Sequence, residues 1–238
     1  MCGRFTLTRQ DRISLARELG VPVGQLPEDK YRPRYNIAPT QKHWIARMEY
    51  EERELLPARW GLVNHWAKDP KIGSRQINAR AETLEKRPAF RDAFKKRRCA
   101  VPADGFFEWA GPKGQRQPIW FHRPDGGLIL FAGLYESWQR ESDEWEPTFT
   151  IITTDANATL EPVHNRMPVI LTDDVVDEWL FSRREDYLVL KELLVPADDG
   201  LLVGTPVSPR VNSIRNDDPS LIEPVPLADV AGRVNRSS

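Results

Sequence analysis

The stretch Cys99-Ala100-Val101-Pro102-Ala103-Asp104-Gly105-Phe106-Phe107-Glu108-Trp109-Ala110 decides how the fold is read. It is largely apolar but broken by Pro102 and by Asp104-Gly105, so it is too punctuated for a helix. It reads as two consecutive strands, Cys99 to Ala103 and Gly105 to Ala110. Runs of the same kind follow at Pro118 to His122, Leu128 to Leu134 and Thr148 to Thr154. The separators at Gly111-Pro112-Lys113-Gly114 and Pro124-Asp125-Gly126-Gly127 form turns, which predicts antiparallel hairpins.

Upstream, His43 to Met48 and Arg53 to Trp60 read as strands joined by the charged turn Glu49 to Glu52, and downstream Leu201 to Val207 returns to strand. Helices are expected on the flanks. Thr8 to Gly20 reads as one, with Thr8 as cap, Ile13, Ala16 and Leu19 on one face, and Gly20 as the stop. Ala79 to Arg98 alternates helix formers with Pro88 and predicts two short helices, the second ending in the basic run Lys95 to Arg98, read as a solvated face or a secondary phosphate contact. Thr172 to Phe181 and Glu185 to Leu194 complete the set. The expected class is α+β: one domain over residues 1–231 with a largely antiparallel, barrel-like β core and peripheral helices, then a disordered tail at 232–238.

Composition narrows the function classes. Of 238 residues, 40% are hydrophobic, enough for a sizeable core, and 20 prolines with eight tryptophans favour short extended pieces. Lys and Arg (34) balance Asp and Glu (35), giving a net charge of -1, so any nucleic-acid site must be a local basic patch. Neither a signal-peptide core nor a membrane-length apolar run is present, which predicts a cytoplasmic protein, nucleoid-associated if bacterial. The two cysteines, Cys2 and Cys99, have no metal-ligand spacing, and no phosphate-binding glycine loop occurs; no metal or cofactor is expected. Nothing points to an obligate assembly, so the expectation is a monomer.

The chemistry-bearing feature is Met1-Cys2-Gly3. A small second residue favours removal of the initiator methionine, which would leave Cys2 with an α-amine of pKa about 8 beside a thiol of about 8.5. Such a 1,2-aminothiol condenses with an aldehyde to an imine and closes a thiazolidine ring. The alternative is a buried cysteine at the start of a strand. Glu108 lies within an aromatic strand, where alternation places it opposite Phe107 and Trp109; burial would suit it to proton transfer, while exposure on an edge would leave it inert. His164 stands in the proline-bracketed loop Glu161-Pro162-Val163-His164-Asn165-Arg166-Met167-Pro168. Arg4, Trp60, Trp66, Arg80 and Arg166 interleave phosphate-gripping and base-stacking side chains, with a core role as the alternative for the two tryptophans.

Taken in order, Met-Cys-Gly-Arg-Phe at the start, Arg34-Tyr35-Asn36-Ile37-Ala38-Pro39-Thr40, Arg59-Trp60-Gly61-Leu62, Ile77-Asn78-Ala79-Arg80-Ala81-Glu82-Thr83, Val101 to Trp109 and Val163 to Leu171 resemble the SOS-response-associated peptidase (SRAP) family. The resemblance implies a compact mixed fold that shields abasic sites in single-stranded DNA through a thiazolidine crosslink to Cys2, with autopeptidase or crosslink-reversal activity as an accompaniment. Carried over by matching motif, Asn78 would position the Cys2 amine and the sugar, and Glu108 and His164 would shuttle protons. Arg4, Arg80 and Arg166 would hold phosphates, while Trp60, Trp66, Pro39 and Thr153 would line the DNA groove. Two departures stand out. Asn64 replaces a proline common in the family, which predicts a looser loop at Trp66. Asn165 follows His164 where the family commonly has Asp, which removes a negative charge beside the imidazole.

Rival readings are an N-terminal-nucleophile amidohydrolase, a non-catalytic reader of damaged DNA, and a thiol peptidase using Cys2, Glu108 and His164. The first normally uses an Asn-Gly element for its oxyanion hole, and this sequence has no Asn-Gly dipeptide.

Overall fold

The chain opens with a three-residue strand, β1 (Phe5–Leu7), whose burial leaves no polar alternation to announce it. In this computed structural model, which describes residues 2–112, 114–140, 142–181, 187 and 189–226, helix α1 spans Arg12–Glu18. Its cap is Asp11, which accepts from the Ile13 and Ser14 N–H groups, rather than Thr8. Thr8 instead gives its N–H and hydroxyl to Asp104 at 2.5 and 2.7 Å. Gly20 ends the turn at φ 67°, as expected, but the buried face is Leu15, Ala16 and Leu19, and Ile13 is exposed.

After β2 (Arg34–Ile37), strands β3 (Lys42–Glu49) and β4 (Glu52–Trp60) form the predicted hairpin, tightened by Tyr50 and Glu51, both at positive φ. The next segment departs from expectation. Asn78–Arg80 is a strand, β5, because its backbone pairs parallel to a later strand, and the ladder overrides a helix-favouring composition. Helix α2 (Pro88–Lys96) starts on Pro88, where a missing N–H costs nothing, and buries Phe90, Ala93 and Phe94. The basic run at its end is not uniform. Arg98 is buried and donates to the Phe94, Lys95 and Trp179 carbonyls, so it satisfies a helix terminus and does not face solvent.

The deciding stretch forms β6 (Arg98–Ala103) and β7 (Gly105–Ala110), followed by β8 (Gln117–His122), β9 (Ile129–Gln139) and β10 (Trp145–Asp155). Strands β10, β4, β3, β6 and β9 close on one another into a barrel, antiparallel except where β4 lies parallel to β10. A second sheet, antiparallel throughout, has the order β13-β8-β7-β1-β2, with β13 at Val203–Pro206. The β7–β8 hairpin is the one predicted. The turn at 124–127 is not a hairpin: β8 belongs to the second sheet and β9 to the barrel, so the chain crosses between layers there.

Short strands β11 (Arg166–Pro168) and β12 (Ile170–Leu171) flank β10 and β9, and α3 (Val176–Phe181) packs on β6 and β3, shorter than the expected 172–181 because Thr172 to Val175 form only a turn. Of the helix expected at 185–194, residues 189–193 form a 3-10 turn and the earlier part lies largely outside the described residues, as does the tail at 232–238. The α+β, barrel-like reading stands. Phe5 plugs the seam between the layers, edge-on to Trp60 and Phe131 at 5.0 and 5.9 Å. Burying such a ring is worth about 2–3 kcal/mol, which fixes the strand that carries Cys2.

Candidate functional site

Cys2 sits immediately ahead of β1 with no exposed surface, its Sγ 3.9 Å from the Arg4 carbonyl. Three elements converge on it. Asn78, first residue of β5, donates from Nδ2 to the Cys2 carbonyl at 2.8 Å, and β5 is held in place by the Ile151↔Asn78 register with β10. The Oδ1 of Asn78 is buried and takes no hydrogen bond among the described residues. On the other side, β7 pairs with β1 through Phe5↔Phe106, and the Phe107 N–H donates to the Arg4 carbonyl at 2.9 Å. Glu108 is therefore brought abreast of the chain start. It is buried on the Phe106 side, while Phe107 and Trp109 face a separate apolar cluster, as alternation predicts.

His164 ends the crossing from β10 to β11, and its Nδ1 accepts the Arg166 backbone N–H at 3.0 Å. A backbone N–H only donates, so Nδ1 is an acceptor and the neutral imidazole carries its proton on Nε2. The charges of the three groups are coupled. Burial pushes the Cys2 thiol well above its ordinary range, and the Glu108 charge pushes it further. Burial lowers the His164 pKa, while the same Glu108 charge pulls it back up. At neutral pH the resting site thus holds a protonated thiol and a neutral imidazole.

The residues expected to touch DNA divide. Trp60 has no exposed surface; it stacks on Phe149 at 6.3 Å and donates from Nε1 to the Ile77 carbonyl at 2.8 Å. It is a core residue and offers no face to a base, which corrects the stacking expectation. Thr153 is equally buried within β10, beside Arg80 in register, with its hydroxyl donating to the Ala79 carbonyl at 3.5 Å. Arg4 is committed to Asn36 Oδ1 and to the Val211 and Asn212 carbonyls at 2.9, 2.7 and 3.3 Å. Arg166 is gripped by Glu82 and Asp155 at 2.6 and 2.7 Å and by the Thr153 carbonyl, so it fixes the strand end that presents His164. Arg80 and Trp66 are exposed and Pro39 is half-buried at the surface.

Sequence reasoning missed Glu82 and Asp155, whose acidity gave no sign that they serve an arginine in an expected anion groove. It also missed Asn36, whose buried Nδ2 donates to the Val211, Ser213 and Asn216 carbonyls and ties the C-terminal segment to β2. Among the described residues no three His, Cys, Asp or Glu side chains gather as a metal site, and no helix is long and apolar enough to cross a membrane.

The profile of the SOS response associated peptidase (SRAP) family matches residues 1–214. The chain belongs to this family. Among SRAP relatives, it is 42% identical over 225 residues to the abasic site processing protein YoqW of Bacillus subtilis (strain 168), covering 94% of this chain and 99% of that protein. It is 33% identical over 235 residues to the abasic site processing protein HMCES of Gallus gallus, covering 85% and 69% respectively. A crystal structure of a protein from Bacteroides thetaiotaomicron superposes with a TM-score of 0.81 at 25% identity, covering 94% of this chain and all of that one.

The two departures from the SRAP pattern now have local explanations. Asn64 is buried and its side chain donates from Nδ2 to the Ala89 carbonyl at 2.8 Å, a bond that a proline there could not make, while its backbone carbonyl accepts the Ala67 N–H. Asn165 is exposed, and its carbonyl accepts the Ala156 N–H. The negative charge that favours the His164 imidazolium comes from Glu108 instead.

Proposed function

We infer that this SRAP protein processes abasic sites in single-stranded DNA by capturing their aldehyde on Cys2. The observation that carries the reading is the convergence at one buried residue: Asn78 holds the Cys2 backbone, and the Glu108 charge acts on both the Cys2 thiol and His164. With Met1 removed, the Cys2 α-amine adds to the ring-opened C1′ aldehyde and gives a carbinolamine. The Glu108 carboxylate takes the nitrogen's proton and passes it to the hydroxyl, which leaves as water, and an imine forms. The thiol then adds to the imine carbon, its proton passing through Glu108 to the ring nitrogen. One water is released and a thiazolidine remains.

The order of attack follows from the electrostatics. A thiol held protonated does not compete with the amine for the aldehyde, so the imine forms first. His164, neutral with its proton on Nε2, donates a hydrogen bond to the sugar or carbinolamine oxygen, and Asn78 Oδ1 supplies an acceptor for the amine. Thiol proteolysis fits less well: a thiolate–imidazolium pair needs the Cys2 pKa lowered and the His164 pKa raised, and both move the other way. Single-strandedness follows from access, since the aldehyde must enter a buried site that a stacked duplex blocks.

Cys2→Ala tests the scheme. It retains an α-amine, so with abasic single-stranded DNA it is expected to give an adduct only after borohydride trapping, while the unmodified protein gives one that survives heating. A lasting adduct on Cys2→Ala without reduction would remove the thiol from the mechanism.

A further inference from the structure

The turn that leads into β2 and the first residues of β3 enclose, with Leu7 at the end of β1 remote from Cys2, a hollow of about 240 Å3. Cys2, Asn78, Glu108 and His164 take no part in its walls. Its charge is one-sided. Lys30, Arg32, Arg34 and Lys42 line it and no acidic side chain does, although Glu28 and Asp29 lie in the same turn. Asp217 holds Arg34 at 2.5 Å, whereas Lys30, Arg32 and Lys42 are exposed and enter no ion pair among the described residues.

His43 gives the hollow a different kind of group. It is 4% exposed, its ring stands edge-on to Phe5 at 4.8 Å, and its Nε2 lies 2.7 Å from the Pro102 carbonyl. A carbonyl only accepts, so Nε2 carries the proton and Nδ1 is a lone-pair acceptor. Nδ1 has no partner among the described residues and is not sealed off, and His43 lines the hollow. Burial pushes the His43 pKa down to about 4, and the Arg34 charge acts in the same direction, so near neutral pH the ring stays uncharged.

Three cations free of acidic partners beside one neutral acceptor define a ligand. The cations call for an anion, and the acceptor calls for a hydrogen-bond donor on that same anion, because a fully deprotonated oxygen set against the lone pair leaves both unsatisfied. We propose that this hollow binds a hydroxyl-bearing phosphate, either hydrogen phosphate or a phosphomonoester with a free hydroxyl, its charge on Lys30, Arg32 and Lys42 and its O–H donated to His43 Nδ1. The volume suits a ligand of that size and is too small for a drug-sized one. The phosphodiesters of a DNA backbone carry no such proton, so the site is separate from strand binding and independent of capture on Cys2.

Isothermal titration of the full chain near neutral pH and at low salt, with inorganic phosphate, sulfate, dimethyl phosphate and glycerol 3-phosphate, tests the proposal. Phosphate is expected to bind saturably and at least about tenfold more tightly than sulfate or dimethyl phosphate, which are anions without a donor. Glycerol 3-phosphate, which has no aldehyde to react with Cys2, separates the sources: binding tighter than phosphate assigns the site to a phosphomonoester, and weaker binding assigns it to free phosphate. Lys30→Gln/Lys42→Gln changes two exposed positions and is expected to weaken phosphate binding by about tenfold or more, while Lys86→Gln/Lys96→Gln, outside the hollow, leaves it unchanged. His43→Phe keeps a ring against Phe5 and is expected to abolish the preference for phosphate over sulfate. Equal affinity for phosphate and sulfate in the unmodified protein, or no loss in Lys30→Gln/Lys42→Gln, overturns the proposal.

Discussion

At the scale of single residues, Glu108 is the group whose charge reaches both Cys2 and His164, and that makes its removal informative. Burial lowers the His164 pKa and Glu108 raises it, so Glu108→Gln is expected to move the His164 titration, followed by NMR, further down. The same substitution lowers the Cys2 thiol pKa, because the carboxylate that opposes thiolate formation is gone. Opposite shifts would contradict the placement of Glu108 between them. Its loss is also expected to slow crosslinking without abolishing DNA binding, since it relays protons and touches no phosphate. Asn78→Ala separates holding from folding: one neutral hydrogen bond is worth about 1 kcal/mol of stability, yet it positions the nucleophile. A rate loss on the order of tenfold or more with a melting temperature nearly unchanged is the expected result. A stability loss with full crosslinking rate would make Asn78 merely structural.

At the scale of elements, the readable parts were those whose local signals agreed with their pairing. The β7–β8 hairpin carried alternation and a glycine turn, and α2 carried its proline start. Strand β5 was not readable because three residues of helix-favouring composition are held extended by β10, far away in sequence, and by the Asn78 bond to Cys2. The 124–127 turn looked like a hairpin because turn chemistry reports a reversal and not which sheet receives the chain. Asp104 shows the same limit: beside a glycine it reads as a turn residue, whereas it receives Thr6 at 2.6 Å as well as Thr8 and so locks β1 onto the crossover from barrel to sheet. The junction between β4 and β5 depends on backbone approach at Gly61, at φ 121°. Gly61→Ala is expected to cost about 1–3 kcal/mol, read as a fall in the unfolding midpoint; an unchanged midpoint would contradict that close packing.

At the scale of the whole molecule, the barrel and the second sheet meet at Phe5, and Cys2 is carried at the head of the strand that seals them. Here the sequence was legible through the ordered motifs but ambiguous about which tryptophan works where, because an aromatic suits a core and a stacking surface equally. Burial separates them. Trp60→Ala is expected to cost about 3–5 kcal/mol in denaturant unfolding, whereas Trp66→Ala leaves stability nearly unchanged and weakens binding of single-stranded DNA. The reverse pattern would overturn the assignment. A global charge of -1 leaves such binding to local basic side chains, of which Arg80 is exposed beside Asn78 in sequence. The central claim is capture on Cys2, and intact-mass analysis tests it most directly, using purified protein mixed with single-stranded DNA bearing one abasic site and with an undamaged control. The account predicts a heat-stable, damage-dependent adduct mapping to Cys2 in protein that has lost Met1. Correctly processed, folded protein that binds the DNA but gains no mass would contradict it.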